Sequence, residues 1–147
     1  MKILNKKASF NYEILETFEV GIVLTGAEVK SIKTGRLNLG DAYVKIINNE
    51  LWLVNADIPK YKYSSDEHYD STRSRKLLIN RDQFIKLQSK IKQGNLTLMP
   101  VSMYDTRGFL KVEVGIGRGK KHYEKKLREK ERDLDRELHL ENRKYVI

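Results

Sequence analysis

Apolar and polar residues alternate over several short segments of the chain, which is typical of β-strands with one buried face. Every second residue from Tyr12 to Leu24 is apolar except Glu16. This pattern predicts one long strand over residues 11–24, with a bend or bulge near Gly21. Two hairpins are also predicted, the first from residues 43–47 and 51–54 across a turn containing two asparagines, which tolerate positive φ. The second joins residues 96–104 and 109–117, and residues 77–79 form a further short strand.

Two helices are predicted from their capping signals. Thr25 and Glu28 have the spacing of a capping box, and Gly35 is a plausible stop for the helix that follows. Asn80 is placed to cap a second helix over residues 81–93, whose apolar positions repeat at helical spacing.

Many short strands with two helices predict a mainly β fold with accessory helices, an OB-fold-like small β-barrel over residues 1–117. Residues 59–74 carry turn formers and scattered charge, so we expect a loop there. Residues 118–147 form a basic neck and a helix-prone tail with few large apolar residues. Because such a tail cannot bury enough apolar surface to fold alone, we expect it to be disordered when free and helical when bound.

The charge of the chain favours a polyanionic partner, and much of it is concentrated in one place. The 29 basic and 20 acidic residues give a net charge of +9. Residues 118–126 contain five basic residues and one acidic residue, a net charge of +4 in nine positions. A field of this sign attracts RNA, DNA or an anionic membrane, although many small basic proteins bind nothing specific.

The composition argues against several classes of site. The chain has no cysteine, which excludes disulfides and thiolate metal sites, and its three histidines are scattered. No apolar run is long enough to span a membrane, and the basic N-terminus lacks the apolar stretch of a secretory signal. We therefore expect a cytoplasmic protein without membrane contact or cofactor. No surplus apolar stripe appears, so we expect a monomer.

Several collinear motifs resemble the family of SsrA-binding proteins, also called small protein B. The resemblance covers essentially the whole chain and is carried by Asn5-Lys-Lys-Ala-Ser-Phe-Asn-Tyr12, Glu19-Val-Gly-Ile-Val-Leu-Thr-Gly-Ala-Glu-Val-Lys-Ser31, Asp41-Ala-Tyr-Val44, Arg73-Ser-Arg-Lys-Leu-Leu-Ile-Asn80 and Gly119-Lys-Lys-His-Tyr-Glu-Lys-Lys126. It implies an oligonucleotide-binding barrel that binds the tRNA-like domain of transfer-messenger RNA (tmRNA) and delivers it to stalled ribosomes for trans-translation.

The resemblance also implies which residues bind tmRNA, and each has a structural alternative. Glu28 would accept hydrogen bonds from base amino or imino groups, but it could equally complete the capping box. Leu78 and Asn80 would lie in the same RNA-binding patch, although Leu78 could belong to the core and Asn80 could simply cap a helix. The basic cluster of this patch would contact phosphates, or form a solvated loop. Its members are Arg73, Arg75, Lys76 and Arg81.

The neck before the tail is implied to bind ribosomal RNA at the small-subunit decoding centre, with the tail in the mRNA channel. Its residues are Lys120, Lys121, Tyr123, Glu124, Lys125 and Lys126. Tyr123 replaces the histidine usual in the family, and we expect its ring to stack on a base. The alternative is a merely solubilising segment.

Other chemical interpretations are weaker. We expect Trp52 to be a core residue, and Gly115, Gly117 and Gly119 lack the capped helix that a phosphate-binding loop requires. No acid–base pair or nucleophile elbow is evident, which argues against an enzyme. The main alternative function is a structural ribosomal protein or a generic RNA-binding OB-fold protein.

Overall fold

The computed structural model describes residues 1–120, which form seven strands and three helices. The strands are β1 (Lys2–Leu4), β2 (Tyr12–Ile22), β3 (Tyr43–Ile47), β4 (Glu50–Val54), β5 (Arg75–Leu78), β6 (Thr97–Thr106) and β7 (Phe109–Gly119). The helices are α1 (Lys6–Asn11), α2 (Gly26–Lys33) and α3 (Arg81–Gln93). This confirms the predicted mainly β class with accessory helices.

All seven strands belong to one antiparallel sheet in the order β1-β6-β7-β2-β5-β4-β3. Strand β3 at one end also lies against β6. The sheet therefore curls into a partly closed barrel, with β1 outside the closure. The succession β3, β4, β5, α3, β6, β7 is the three-strand, helix, two-strand order of an OB-fold, and β2 is inserted between β5 and β7.

The alternation of apolar residues correctly predicts the buried face of the last strand. Leu110, Val112, Val114 and Ile116 all enter the core from β7. The long strand β2 is confirmed as well, but its bulge lies between Ile14 and Glu16, rather than near Gly21. The extra residue on β2, Leu15, shifts the pairing with β7, so that Ile14 is opposite Gly117 and Glu16 is opposite the core residue Ile116. The predicted single buried face of this strand is therefore interrupted at the bulge.

Backbone conformation sets both hairpin turns. Asn48 and Asn49 have φ of 51° and 59°, and Arg107 and Gly108 have φ of 51° and 86°. Two consecutive residues with positive φ match the right-handed twist of the flanking strands. Both predicted hairpins are confirmed, although the second has a shorter turn and longer strands than expected.

The N-terminal residues form β1 and α1, neither of which the sequence pattern predicted. Strand β1 pairs with β6 at the edge of the sheet. Asn5 is buried between the two elements, where its Nδ2 donates to the carbonyl of Pro100 at 2.8 Å. Elements this short carry too few residues for a periodic signal, and tertiary contacts hold them.

Strand β7 continues to Gly119, two residues past the expected end of the barrel at residue 117. A Cβ atom at Gly117 would collide with the carbonyl of Glu13, so this glycine is needed for close packing on β2. Lys120 extends the attachment, because its amide donates to the carbonyl of Asn11 at 3.0 Å. Residues 121–147, which include nearly all of the predicted tail, lie outside the described part.

Candidate RNA-binding surface

The predicted capping box at the start of α2 is present. The Thr25 hydroxyl accepts from the Glu28 amide at 3.2 Å, and a Glu28 carboxylate oxygen accepts from the Thr25 amide at 2.9 Å. These two bonds satisfy backbone donors that the helix itself leaves free.

The same carboxylate binds two arginines, one at the start of β5 and one in the loop before it. The Arg75 Nε donates to Glu28 Oε2 at 2.6 Å, and the Arg73 Nη2 donates to Glu28 Oε1 at 2.5 Å. The guanidinium of Arg75 also donates to two backbone carbonyls, at 2.7 and 3.0 Å. Burial raises the pKa of Glu28, but the hydrogen bonds from Thr25, Arg73 and Arg75 outweigh this effect, and the pKa lies below its ordinary value.

Burial changes the roles expected of these residues. The side chains of Glu28 and Arg75 are 1% and 0% exposed, and their polar atoms already have partners. Both side chains are therefore enclosed in this structure, and the expected contacts of Arg75 with phosphate and of Glu28 with a base stay predictions. Arg73 is 42% exposed and presents its charge to solvent. The buried pair thus fixes the position of an accessible cation.

Leu78 and Asn80 are both exposed, at the end of β5 and the start of α3. Leu78 is 52% exposed, so its core alternative is wrong. It lies over Gly21, where a Cβ would approach the Leu78 Cβ to 3.3 Å. Asn80 does cap α3, because its side-chain oxygen accepts from the Asp82 amide at 2.9 Å. The rest of its side chain remains available to a ligand.

An open groove of about 590 Å³ runs beside Leu78, between the β3–β4 turn and α3. Lys76 and Arg81 place positive charge along it, and the exposed Ile85 adds an apolar side chain. Lys76 pairs with Glu50 at 3.5 Å across β5 and β4. The predicted basic cluster is therefore divided: Arg75 is internal, whereas Arg73, Lys76 and Arg81 reach the surface.

Trp52 corrects another prediction. It lies on the outer face of β4, between the inward-pointing Leu51 and Leu53, and is only partly buried. Its neighbours across the sheet are Lys45 on β3 and Lys76 on β5. The alternation of leucines in β4 could have predicted this orientation, since Trp52 has the opposite parity.

The neck residues are described only at Lys120. Its Nζ donates to the carbonyl of Ser9 at 2.9 Å, which holds the first neck lysine against α1. Lys121, Tyr123, Glu124, Lys125 and Lys126 lie outside the described residues, so their implied contacts stay predictions.

An antiparallel barrel with basic and exposed apolar side chains around one groove has the features of an oligonucleotide-binding β-barrel. Comparison with known proteins gives the family: its model, described as SmpB protein, matches residues 2–144. The chain belongs to the SmpB family.

Similar proteins in several bacteria carry the name SsrA-binding protein. The one from Dehalococcoides mccartyi strain BAV1 is 47% identical over 93% of this chain and 80% of its own length. Those of Mycolicibacterium paratuberculosis and Chlamydia muridarum are 46% and 44% identical, over 91% and 92% of this chain and 79% and 90% of their own lengths. A solved structure described as "tmRNA-SmpB: a journey to the center of the bacterial ribosome" contains a chain with 39% identity and a TM-score of 0.67. The match covers 82% of this chain and 85% of that one.

No helix within residues 1–120 is long and apolar enough to cross a membrane.

Proposed function

We propose that this protein binds tmRNA and brings it to stalled bacterial ribosomes for trans-translation. Family membership supports this function, as do the name of the relatives and the tmRNA–ribosome setting of the solved structure. The observation that carries it here is the exposed Leu78 beside the groove, flanked by cations on a surface that the buried Glu28–Arg75 pair supports.

The mechanism is placement rather than catalysis. Arg73, Lys76 and Arg81 contact phosphates of the tRNA-like domain, which fixes the register of the RNA without reading sequence. Leu78 packs against an unstacked base or a sugar, and Asn80 adds a hydrogen bond. Glu28 and Arg75 act as positioning residues, because they hold the Arg73 guanidinium and the start of α2 from beneath the surface.

Residues 1–117, together with the end of β7, bind tmRNA, and residues 118–147 bind the ribosome. The neck from Lys120 to Lys126 contacts ribosomal RNA at the decoding centre, and the tail follows the empty mRNA channel. This activity belongs to the cytoplasm, where bacterial ribosomes work, and requires neither an enzymatic step nor a cofactor.

The experiment measures binding to a transcript of the tRNA-like domain by gel shift over a series of salt concentrations. Affinity should fall with salt, since each phosphate contact releases counterions. Arg73→Glu should weaken binding and flatten the salt slope. Lys86→Glu is the matched control, because Lys86 lies on the side of α3 that faces Phe18 rather than the groove.

Equal effects of the two charge reversals would contradict the proposed site. RNA recovered with the purified protein and sequenced tests the alternative function. One dominant tRNA-like species supports tmRNA binding, whereas a broad mixture supports a generic RNA-binding protein of the ribosome.

A further inference from the structure

The outer face of β3, β4 and β5 carries an unusual row of side chains. Lys45, Trp52 and Lys76 are direct cross-strand partners, so their side chains lie side by side on one face. The same pairing continues to β2, where the Val23 amide donates to the Lys76 carbonyl at 2.9 Å. The single tryptophan of the chain is therefore flanked by lysines on both sides.

This face also carries several large apolar side chains that are exposed. Its exposed large apolar residues are Val23, Tyr43, Ile47 and Leu78. A contiguous exposed apolar patch is a common mark of a binding surface. Among the described residues, Glu50 is the one acidic residue on the outer face of β3, β4 and β5, and it is paired with Lys76.

An aromatic and apolar surface between lysines suits single-stranded nucleic acid better than other ligands. Single-stranded nucleic acid is bound by aromatic rings on which bases stack, with cations that follow the phosphates. Lysines on both sides of the ring suit a base whose flanking phosphates carry the negative charge. Strands β4 and β5 are moreover the second and third of the OB-like order, the face on which such barrels bind oligonucleotides.

We propose that this face, defined by Lys45, Trp52, Lys76 and Leu78 and here called the tryptophan platform, holds an unstacked single-stranded segment of RNA. One base stacks on the indole of Trp52, and the flanking phosphates lie near Lys45 and Lys76. The platform adjoins the groove beside Leu78 and lengthens the RNA path across the barrel. This inference rests on the proposed function and adds Lys45 and Trp52, which lie outside the family motifs, to the RNA surface of Lys76 and Leu78.

The single tryptophan makes the platform directly observable. Titration of the full-length protein with the tRNA-like transcript is followed both by gel shift and by tryptophan fluorescence. Stacking of a base should quench or shift the emission, with a midpoint that matches the gel-shift Kd. Trp52→Leu should weaken binding by roughly fivefold or more, the effect of losing one base stack. Trp52→Phe, which keeps a flat ring, should lose less.

Two controls separate the platform from general effects. Phe109→Leu removes another exposed aromatic ring, at the β6–β7 turn, and should leave binding unchanged. Lys45→Gln should reduce affinity and salt slope more than Lys86→Gln. Melting curves check that each variant is folded. The fluorescence titration uses the wild-type protein, so its result does not depend on the folding of any variant.

The outcomes distinguish the two proposals. Normal RNA binding with unchanged fluorescence and an unaffected Trp52→Leu variant overturns the platform and leaves the proposed function standing. A second outcome also overturns the platform: Trp52→Leu binds RNA normally but abolishes self-association or a ribosome contact of the wild-type protein. The face would then belong to a protein partner or a second copy. Failure of the wild-type protein to bind the transcript overturns the proposed function and the platform together.

Discussion

Replacing Glu28 by alanine tests whether this residue contacts RNA or supports the surface from within. The carboxylate accepts from the Thr25 amide and from both arginines, and is 1% exposed. The substitution leaves Arg75 buried with its charge uncompensated, although the carbonyls of Ala56 and Ser71 still accept from it. Removing one partner of a buried ion pair costs about 3–5 kcal/mol of stability. The Thr25 hydroxyl still caps α2 in this variant, because residue 28 keeps its backbone amide.

A loss of that size is a large part of the roughly 5–15 kcal/mol by which small domains are stable. The control is Glu16→Ala, because Glu16 pairs with Lys90 at the exposed surface. Such a pair contributes at most about 1 kcal/mol. The double variant Glu28→Ala/Arg75→Met removes both buried charges, so it should recover at least ~1 kcal/mol relative to Glu28→Ala.

The pH dependence follows from the direction of the shift. Since the pKa of Glu28 is lowered by folding, its contribution to stability is complete above its ordinary pKa and is lost as pH falls through the folded value. The difference in unfolding free energy between wild type and Glu28→Ala should therefore shrink below about pH 4. Urea unfolding at several pH values measures it.

The assay pairs urea unfolding with tmRNA gel shifts under conditions where each variant is folded. We expect the affinity of folded Glu28→Ala to fall no further than that of Arg73→Ala, because only the placement of Arg73 links Glu28 to the RNA. The reasoning would be refuted by a variant as stable as Glu16→Ala that no longer binds tmRNA. Glu28 would then contact RNA itself.

Three further predictions concern other parts of the described chain. Asn80→Asp keeps the cap acceptor and should preserve stability, but its negative charge should weaken tmRNA binding. Asn80→Ala should weaken binding and also lose about 0.5–2 kcal/mol of stability. Equal tmRNA binding by wild type and Asn80→Asp would leave only the capping role. A chain truncated after Lys120 should have a higher melting temperature than one truncated after residue 117, because it retains the end of β7 and the bond to α1. Identical melting curves would show that these contacts contribute nothing to stability. Burial, followed by the hydrogen bond to Glu19, raises the pKa of Tyr104 to about 12, so Glu19→Gln should lower that pKa in an absorbance titration, and an unchanged titration would contradict the assigned hydrogen bond.

Local signals in the sequence determined most of the secondary structure of the barrel. The Thr25–Glu28 spacing, the paired asparagines of the first hairpin turn and the Asn80 cap act over a few residues, so the sequence shows both partners of each interaction. The family motifs likewise drew attention to Leu78 and Asn80, both of which are exposed in the structure. The alternation of apolar residues gave the buried face of β7, but the bulge in β2 broke the same pattern there.

The tertiary structure decided which of the residues implied to bind RNA face outward. Arg73 and Arg75 both bond Glu28, yet Arg73 is 42% exposed and Arg75 is buried, because Arg75 begins β5 whereas Arg73 lies in the loop before it. Glu28 meets Arg75 across 47 residues, and Trp52 acquires its lysine neighbours only when β3, β4 and β5 pair. No local pattern records these contacts, since they arise from strand register between segments distant in the chain. The buried ion pair and the exposed tryptophan are therefore properties of the assembled sheet.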